Sequence, residues 1–202
     1  MLKLLALLSI FATVCSIKFN LGAQNAIVNR HNSLRTRIAN GILDINGVQH
    51  GPASNIRLLR WNNTLARTAE IHANSKPTGH SKGAINGEYG ENLWWATKSS
   101  PILNPHNSGA TACEAWQSEL TKHGWPTNLY SKNIARATQM AWAETDQIGC
   151  GAAVYKEGKV YKIAIVCQYT PKGNLPGMAV YKKGPTGKDC KFKIVQGLCT
   201  KM

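Results

Sequence analysis

The sequence predicts an α+β domain, with helices first and a strand hairpin late. Two observations carry that reading. Apolar residues recur at helical spacing through the first two thirds of the chain, and a two-residue alternation appears near its end. The length of 202 residues suits one domain with a short appendage. An apolar fraction of 43%, with six Trp and six Tyr, supplies a packed core and excludes disordered, collagen-like and coiled-coil classes.

The first segment reads as an address. Lys3 precedes a nearly unbroken apolar run from Leu4 to Val14, and Cys15-Ser16 supplies small residues for cleavage. Residues 1–16 are therefore expected to be a secretory signal peptide, and the protein to be extracellular. No apolar stretch of about 18 residues follows it, so no spanning helix is expected beyond it. Cleavage after Ser16 leaves five cysteines in an oxidising compartment, where disulfides are expected. Asn62-Asn63-Thr64 is an N-glycosylation sequon in that setting.

Residues 23–40 carry Ile27, His31, Leu34 and Ile38 on one helical stripe, closed by Asn40-Gly41. His31 on that stripe reads as a hydrogen-bonded core histidine. Residues 44–55, rich in Gly, Asn and Pro, read as a surface loop. A second helix spans 62–74, with Leu65, Ala66, Ala69 and Ala73 inward. After a loop over 99–109, a third helix covers 110–123, with Trp116 and Leu120 on its apolar face and Gly124 as its stop. Residues 134–142 form a short helix.

The strand pair is 149–155 with 161–169, joined through Lys156-Glu157-Gly158-Lys159. Pairing about that turn sets Cys150 and Cys167 on one face and nearly opposite, so a disulfide is expected, with a bulge at Gly149 or Gly151 as the final adjustment. Cys190 and Cys199 enclose a short loop and are natural partners, which leaves Cys113 as the odd thiol. From Pro171 the composition shifts to Lys, Gly and Pro. Residues 156–202 hold ten lysines against Glu157 and Asp189.

Several short strings occur in order: His31-Asn32-Ser33-Leu34-Arg35, Gly79-His80-Ser81, Gly90-Glu91-Asn92-Leu93 and Ala115-Trp116-Gln117-Ser118-Glu119-Leu120. Thr138-Gln139-Met140-Ala141-Trp142, Gly149-Cys150-Gly151 and the run from Cys167 to Asn174 follow. Together they resemble the CAP superfamily (cysteine-rich secretory, antigen 5 and pathogenesis-related 1 proteins), and within it a nematode venom-allergen-like secreted protein. The resemblance covers residues 24–175 and leaves 176–202 as a basic, cysteine-containing extension. It implies a three-layer α-β-α sandwich with an antiparallel central sheet. It also implies a cleft lined by a His-Glu-Glu-His tetrad that in several members holds a divalent metal.

Carried over residue by residue, the tetrad is His80, Glu91, Glu119 and, in place of the second histidine, Arg136. A guanidinium has a fixed positive charge and no lone pair. It repels a dication and competes for the carboxylates. The expectation is therefore no cofactor, with zinc lost or much weakened and Arg136 paired to Glu91 or Glu119; the alternative is that Arg136 swings out to solvent and the cleft is merely polar. A second departure is Lys76, where related nematode sequences often carry a cysteine; this fits an unpaired Cys113, either buried and inert or bridging two molecules.

No catalytic residues are assigned. Ser81 has no supporting motif, and on an extended strand it would face away from His80. The expected function is a secreted, non-enzymatic binding protein acting as an effector or immunomodulator. The alternatives are a sterol- or lipid-binding module and a cleft-based hydrolase. Trp94 and Trp95 are expected to divide between core and cleft rim. The formal charge of +14 favours anionic partners such as acidic glycans, lipid headgroups or host proteins. No nucleic-acid motif is present. A monomer or a Cys113-linked dimer is expected.

Overall fold

The computed structural model describes residues 14–201. In chain order its elements are β1 (Val14–Ile17), α1 (Leu21–Ala39), β2 (Leu43–Ile45), β3 (Val48–His50), β4 (Arg60–Trp61), α2 (Asn63–Asn74), α3 (Lys82–Ile85) and β5 (Gly90–Lys98). They continue as α4 (Ser108–Gln117), α5 (Glu119–His123), α6 (Ala135–Ala141), β6 (Gln147–Glu157), β7 (Val160–Thr170), β8 (Ile194–Val195) and β9 (Leu198–Cys199). The main sheet runs β1-β6-β7-β5 and is antiparallel, except that β4 joins β6 in parallel over two residues. Of the expected leader, residues 1–13 lie outside the described residues, while Val14–Ser16 form part of β1.

The sheet has two unlike faces. Ile148, Cys150 and Ala152 of β6, with Ile163, Ile165, Cys167 and Tyr169 of β7, join the large core shared with α1, α4 and α6. The other face is covered by α2, against Ala153, Val166 and Leu93. Its approach is close because β6 presents glycines there. A Cβ on Gly149 would lie 2.1 Å from the Ala66 backbone nitrogen, and one on Gly151 2.3 Å from the Glu70 Cα. Helix, sheet and helix thus form the three layers.

α1 begins at Asn20, whose side chain accepts the Ala23 N–H at 2.9 Å. Its stripe of Ile27, His31, Leu34 and Ile38 is buried throughout. His31 meets the expectation of a core histidine. One ring nitrogen contacts the Ile27 carbonyl at 2.8 Å and the other the Tyr169 hydroxyl at 2.9 Å. Burial pulls its pKa down to about 4, so the ring is neutral. Arg35 is fully buried and donates to the carbonyls of Arg57, Met140, Trp142, Ala143 and Thr145. One guanidinium thereby ties α1 to the chain entering β4 and to the loop between α6 and β6. Asn32 docks the same segment reciprocally, donating to the Leu59 carbonyl and accepting the Leu59 N–H.

Four local expectations are corrected. Residues 44–55 are not an open loop, because β2 and β3 form a hairpin with Leu43, Ile45 and His50 buried. Asn46-Gly47 supplies two consecutive positive-φ residues, the chemistry of a tight hairpin turn. The helix over 110–123 breaks into α4 and α5 at Ser118, whose hydroxyl bonds the Ala115 carbonyl at 2.8 Å and competes with the helical ladder. The β6–β7 ladder needs no bulge. Its register is continuous from Glu157↔Val160 to Gln147↔Thr170 and sets Cys150 directly opposite Cys167. Ser81 lies on no strand; it is the N-cap of α3.

Both expected disulfides are present, Cys150–Cys167 and Cys190–Cys199. Cys113 is free and buried, 3.8 Å from His31. A bridge from it to a second molecule would require α4 to open. The C-terminal extension is docked, with Val180, Tyr181 and Leu198 buried, and the short β8–β9 hairpin is stapled at its base by Cys190–Cys199.

Candidate functional site

Glu91 is the second residue of β5 and lies directly across the ladder from Gln168 of β7. Its carboxylate is buried and every hydrogen-bonding position is taken. Oε1 accepts from His80 Nδ1 at 3.0 Å and from the Ser81 backbone N–H at 2.9 Å. Oε2 accepts from the Ser81 hydroxyl at 2.8 Å and from Gln168 Nε2 at 2.9 Å. Burial pushes the acid upward, but these donors, His80 foremost, outweigh it and hold the pKa at about 2. The ionised carboxylate only accepts, so His80 carries its proton on Nδ1. In the neutral ring, Nε2 then presents a lone pair to the cleft, where the His80 side chain is half exposed.

Glu119 is the first residue of α5 and only 6% exposed. The break at Ser118 aims its carboxylate at the start of α6. Oε2 accepts the backbone N–H groups of Arg136 and Ala137 at 3.0 and 3.2 Å, while Oε1 accepts Arg136 Nε at 2.5 Å. Glu119 thus caps α6 from another helix and satisfies two of its free N–H groups. Ile134, in the N-cap position itself, has no oxygen with which to do so.

The structure therefore separates the four tetrad positions into two pairs, His80 with Glu91 and Arg136 with Glu119. Arg136 takes the second of the two partners open to it. The rest of the guanidinium stays half exposed and lines a cavity of about 410 Å³ with His80, Glu91, Trp95, Tyr130 and Lys132. Trp95 rims this cavity while Trp94 packs toward the core, the division the sequence suggests. A smaller space of about 220 Å³, lined by His80, Tyr89, Gln139 and Lys172, adjoins it through their shared residues His80, Glu91 and Asn174.

These residues do not fit a divalent metal. A zinc site draws three or four N, S or O donors. Here His80 Nε2 is one free donor, Glu91 is fully engaged, Glu119 is turned into α6 with three donors on its oxygens, and Arg136 has no lone pair. His72 points its Nε2 at the Gly79 carbonyl, 2.9 Å away, and so serves there as a donor. Among the described residues no group of three or more His, Cys, Asp or Glu side chains could hold a metal ion.

Gln168 and Ser81 were not read as site residues. Strand register could have supplied Gln168, since it pairs with Glu91; nothing local marks Ser81. Asn62 has a structural task as the N-cap of α2, accepting from Thr64 and Leu65 N–H while its amide donates to Gln147.

An α-β-α sandwich with an acid-and-histidine cleft and paired cysteines defines the class of protein. The sequence model of the Cysteine-rich secretory protein family (CAP) matches residues 28–169, and the chain belongs to that family. Venom allergen 5 of the wasp Dolichovespula arenaria is 32% identical over 166 residues, covering 79% of this chain and 80% of that protein. Scoloptoxin SSD43 of Scolopendra dehaani is 33% identical over 182 residues, 83% of this chain and 78% of its own. Among solved structures, BmVAL-1 superposes with a TM-score of 0.79 at 30% identity, covering 92% of this chain and 97% of that one. NaASP2, solved with Zn2+, gives 0.77 at 28% identity, covering 90% and 96%.

Proposed function

We propose that this protein is a secreted, non-enzymatic binding protein of the nematode venom-allergen-like kind, acting outside the cell as an effector or immunomodulator, with a cleft neutralised from within by Arg136 rather than by a metal ion. The observation that carries this is that internal donors hold both acids. Glu91 is held by His80, Ser81 and Gln168, and Glu119 by Arg136 and the start of α6. Neither is left to ligate an ion or accept a proton from a substrate. The names of its relatives, venom allergens and a scoloptoxin, support an extracellular role. The two disulfides accord with an oxidising compartment.

A hydrolase reading finds no nucleophile. Ser81 and His80 both donate to Glu91 and not to each other, and the carboxylate that receives the serine proton, held at a pKa of about 2, is too weak a base to activate the hydroxyl. The deciding experiment is a zinc titration by calorimetry on the whole protein. No binding at micromolar zinc is expected. Tight binding that disappears in His80→Ala refutes the reading.

One observation favours a lipid surface as an additional partner. Phe192, Ile194 and Val195 are exposed at the C-terminal hairpin, with Lys191 and Lys193 on either side of Phe192. Co-sedimentation with phosphatidylserine vesicles, lost in Phe192→Ser, is expected; no sedimentation at low salt refutes it.

A further inference from the structure

Replacing an imidazole by Arg136 does more than remove a metal ligand, because it changes the sign of the charge that the cleft offers. Glu119 does not line the cavity; its carboxylate is turned into α6 and against Arg136 Nε. Glu91 does line it, but its oxygens are covered by four donors. The cations are not covered. Only Nε of Arg136 is engaged with the described residues, so its two terminal NH2 groups remain free at the half-exposed end. Lys132 lines the same cavity and Lys172 the adjoining one, and neither has a carboxylate partner within 4.0 Å among the described residues.

Three further features describe what would fill this space. The free end of Arg136 and the Lys132 amine are donors suited to a planar or tetrahedral oxyanion. The His80 ring lines the same cavity, and its Nε2 has no hydrogen-bond partner among the described residues, which suits a hydroxyl group, able to donate or accept. Trp95, 43% exposed, and Tyr130 offer aromatic surface beside them, suited to the flat apolar face of a ring. A volume of about 410 Å³ accommodates a ring with its substituents, well beyond a bare ion.

We propose that the cleft is a binding site for an acidic sugar unit, a hydroxylated ring carrying a sulfate or carboxylate, with the oxyanion on Arg136 and Lys132, a hydroxyl on His80 Nε2 and the ring against Trp95 and Tyr130. This deepens the proposed function and rests on its reading of Arg136 as the resident cation.

The test follows the Trp95 indole N–H by NMR while the whole protein is titrated with glucose 6-sulfate, glucose or sodium sulfate. Glucose 6-sulfate is expected to shift that signal saturably, glucose not at all, and sodium sulfate only weakly. Lys132→Gln, which breaks no ion pair, should weaken glucose 6-sulfate binding by about tenfold. Arg136→Gln should weaken it by at least as much, and the remote Lys188→Gln should leave it unchanged. The proposal is overturned if glucose 6-sulfate fails to saturate, if glucose or bare sulfate binds equally well, or if Lys132→Gln binds as the unmodified protein does. The zinc titration reads the underlying assignment separately. Absent sugar binding with absent zinc binding defeats only the sugar site, whereas His80-dependent zinc binding defeats both.

Discussion

Replacing Glu119 by alanine tests whether this acid is a structural cap or an idle cleft residue. The carboxylate takes two backbone N–H groups at the start of α6 and one guanidinium N–H, while only 6% exposed. Removing a helix cap costs about 0.5–2 kcal/mol. Losing a negative charge at a partly buried helix start adds about 1 kcal/mol. The bond to the half-exposed Arg136 is discounted to under about 1 kcal/mol, since water replaces it. The sum is about 3 kcal/mol. For a chain of this size that is about 6–12 °C in melting temperature, at roughly 2–4 °C per kcal/mol. Glu119→Gln keeps an oxygen for the two backbone donors and should lose only about 1 kcal/mol. Arg136→Gln should lose less than about 1 kcal/mol. The assay is urea and thermal unfolding followed by circular dichroism. If Glu119→Ala lies within about 0.5 kcal/mol of the unmodified protein, or if Arg136→Gln is equally damaging, the capping account is wrong.

Three other perturbations have defined outcomes. Gly149→Ala forces a methyl group to within 2.1 Å of the Ala66 nitrogen and should cost at least about 3 kcal/mol, whereas Gly79→Ala, with open space, should change stability by under about 0.5 kcal/mol in the same unfolding assay. The Cys113 thiol, pushed up to about 12 by burial, should resist alkylation in the folded protein cleaved after Ser16 and react at once in urea, as read by mass spectrometry. Glu91, depressed from its ordinary 4.5 to about 2, binds protons more weakly folded than unfolded. The stability it confers is full above about pH 4.5 and drains away as pH falls toward 2, and Glu91→Gln should flatten that slope in acid titrations of the melting temperature.

What could be read from the chain follows from which interactions are local. The α1 stripe, the second helix over 62–74 and the β6–β7 hairpin depend on spacing and turn residues, and each occurs where those features put it. Cys150–Cys167 follows from hairpin register alone. Two local features override composition and periodicity: the Ser118 hydroxyl makes two helices of one periodic run, and Asn46-Gly47 turns a polar stretch into a hairpin. Tertiary effects were hidden. Arg35 gave no sign that it would lie fully buried among carbonyls, because its acceptors come from segments more than twenty residues away. In the site, the residue types were legible and their partners were not. His80 and Ser81 converge on Glu91 because α3 begins at Ser81, a turn rather than the strand that would have separated them.

The arrangement of the two acids explains why a single exchanged residue can change the character of the cleft without disturbing the fold around it. Glu91 lies in the sheet and is held by donors from β7 and from the turn before α3. None of those contacts involves α6. Glu119 belongs to a helix, α5, and finds its main partners in the α6 backbone, whose N–H groups are present whatever side chain occupies position 136. An imidazole there would leave both acids anchored as they are. A guanidinium adds one bond to Glu119 and extends its free end into the cavity. The scaffold is therefore indifferent to the exchange, while the cleft exchanges a lone pair for a positive charge. That independence is itself measurable. Arg136→His should unfold within about 1 kcal/mol of the unmodified protein, yet lose any preference for anions over zinc. A large loss of stability in that variant would show that the cation holds the fold together rather than setting what the cleft accepts.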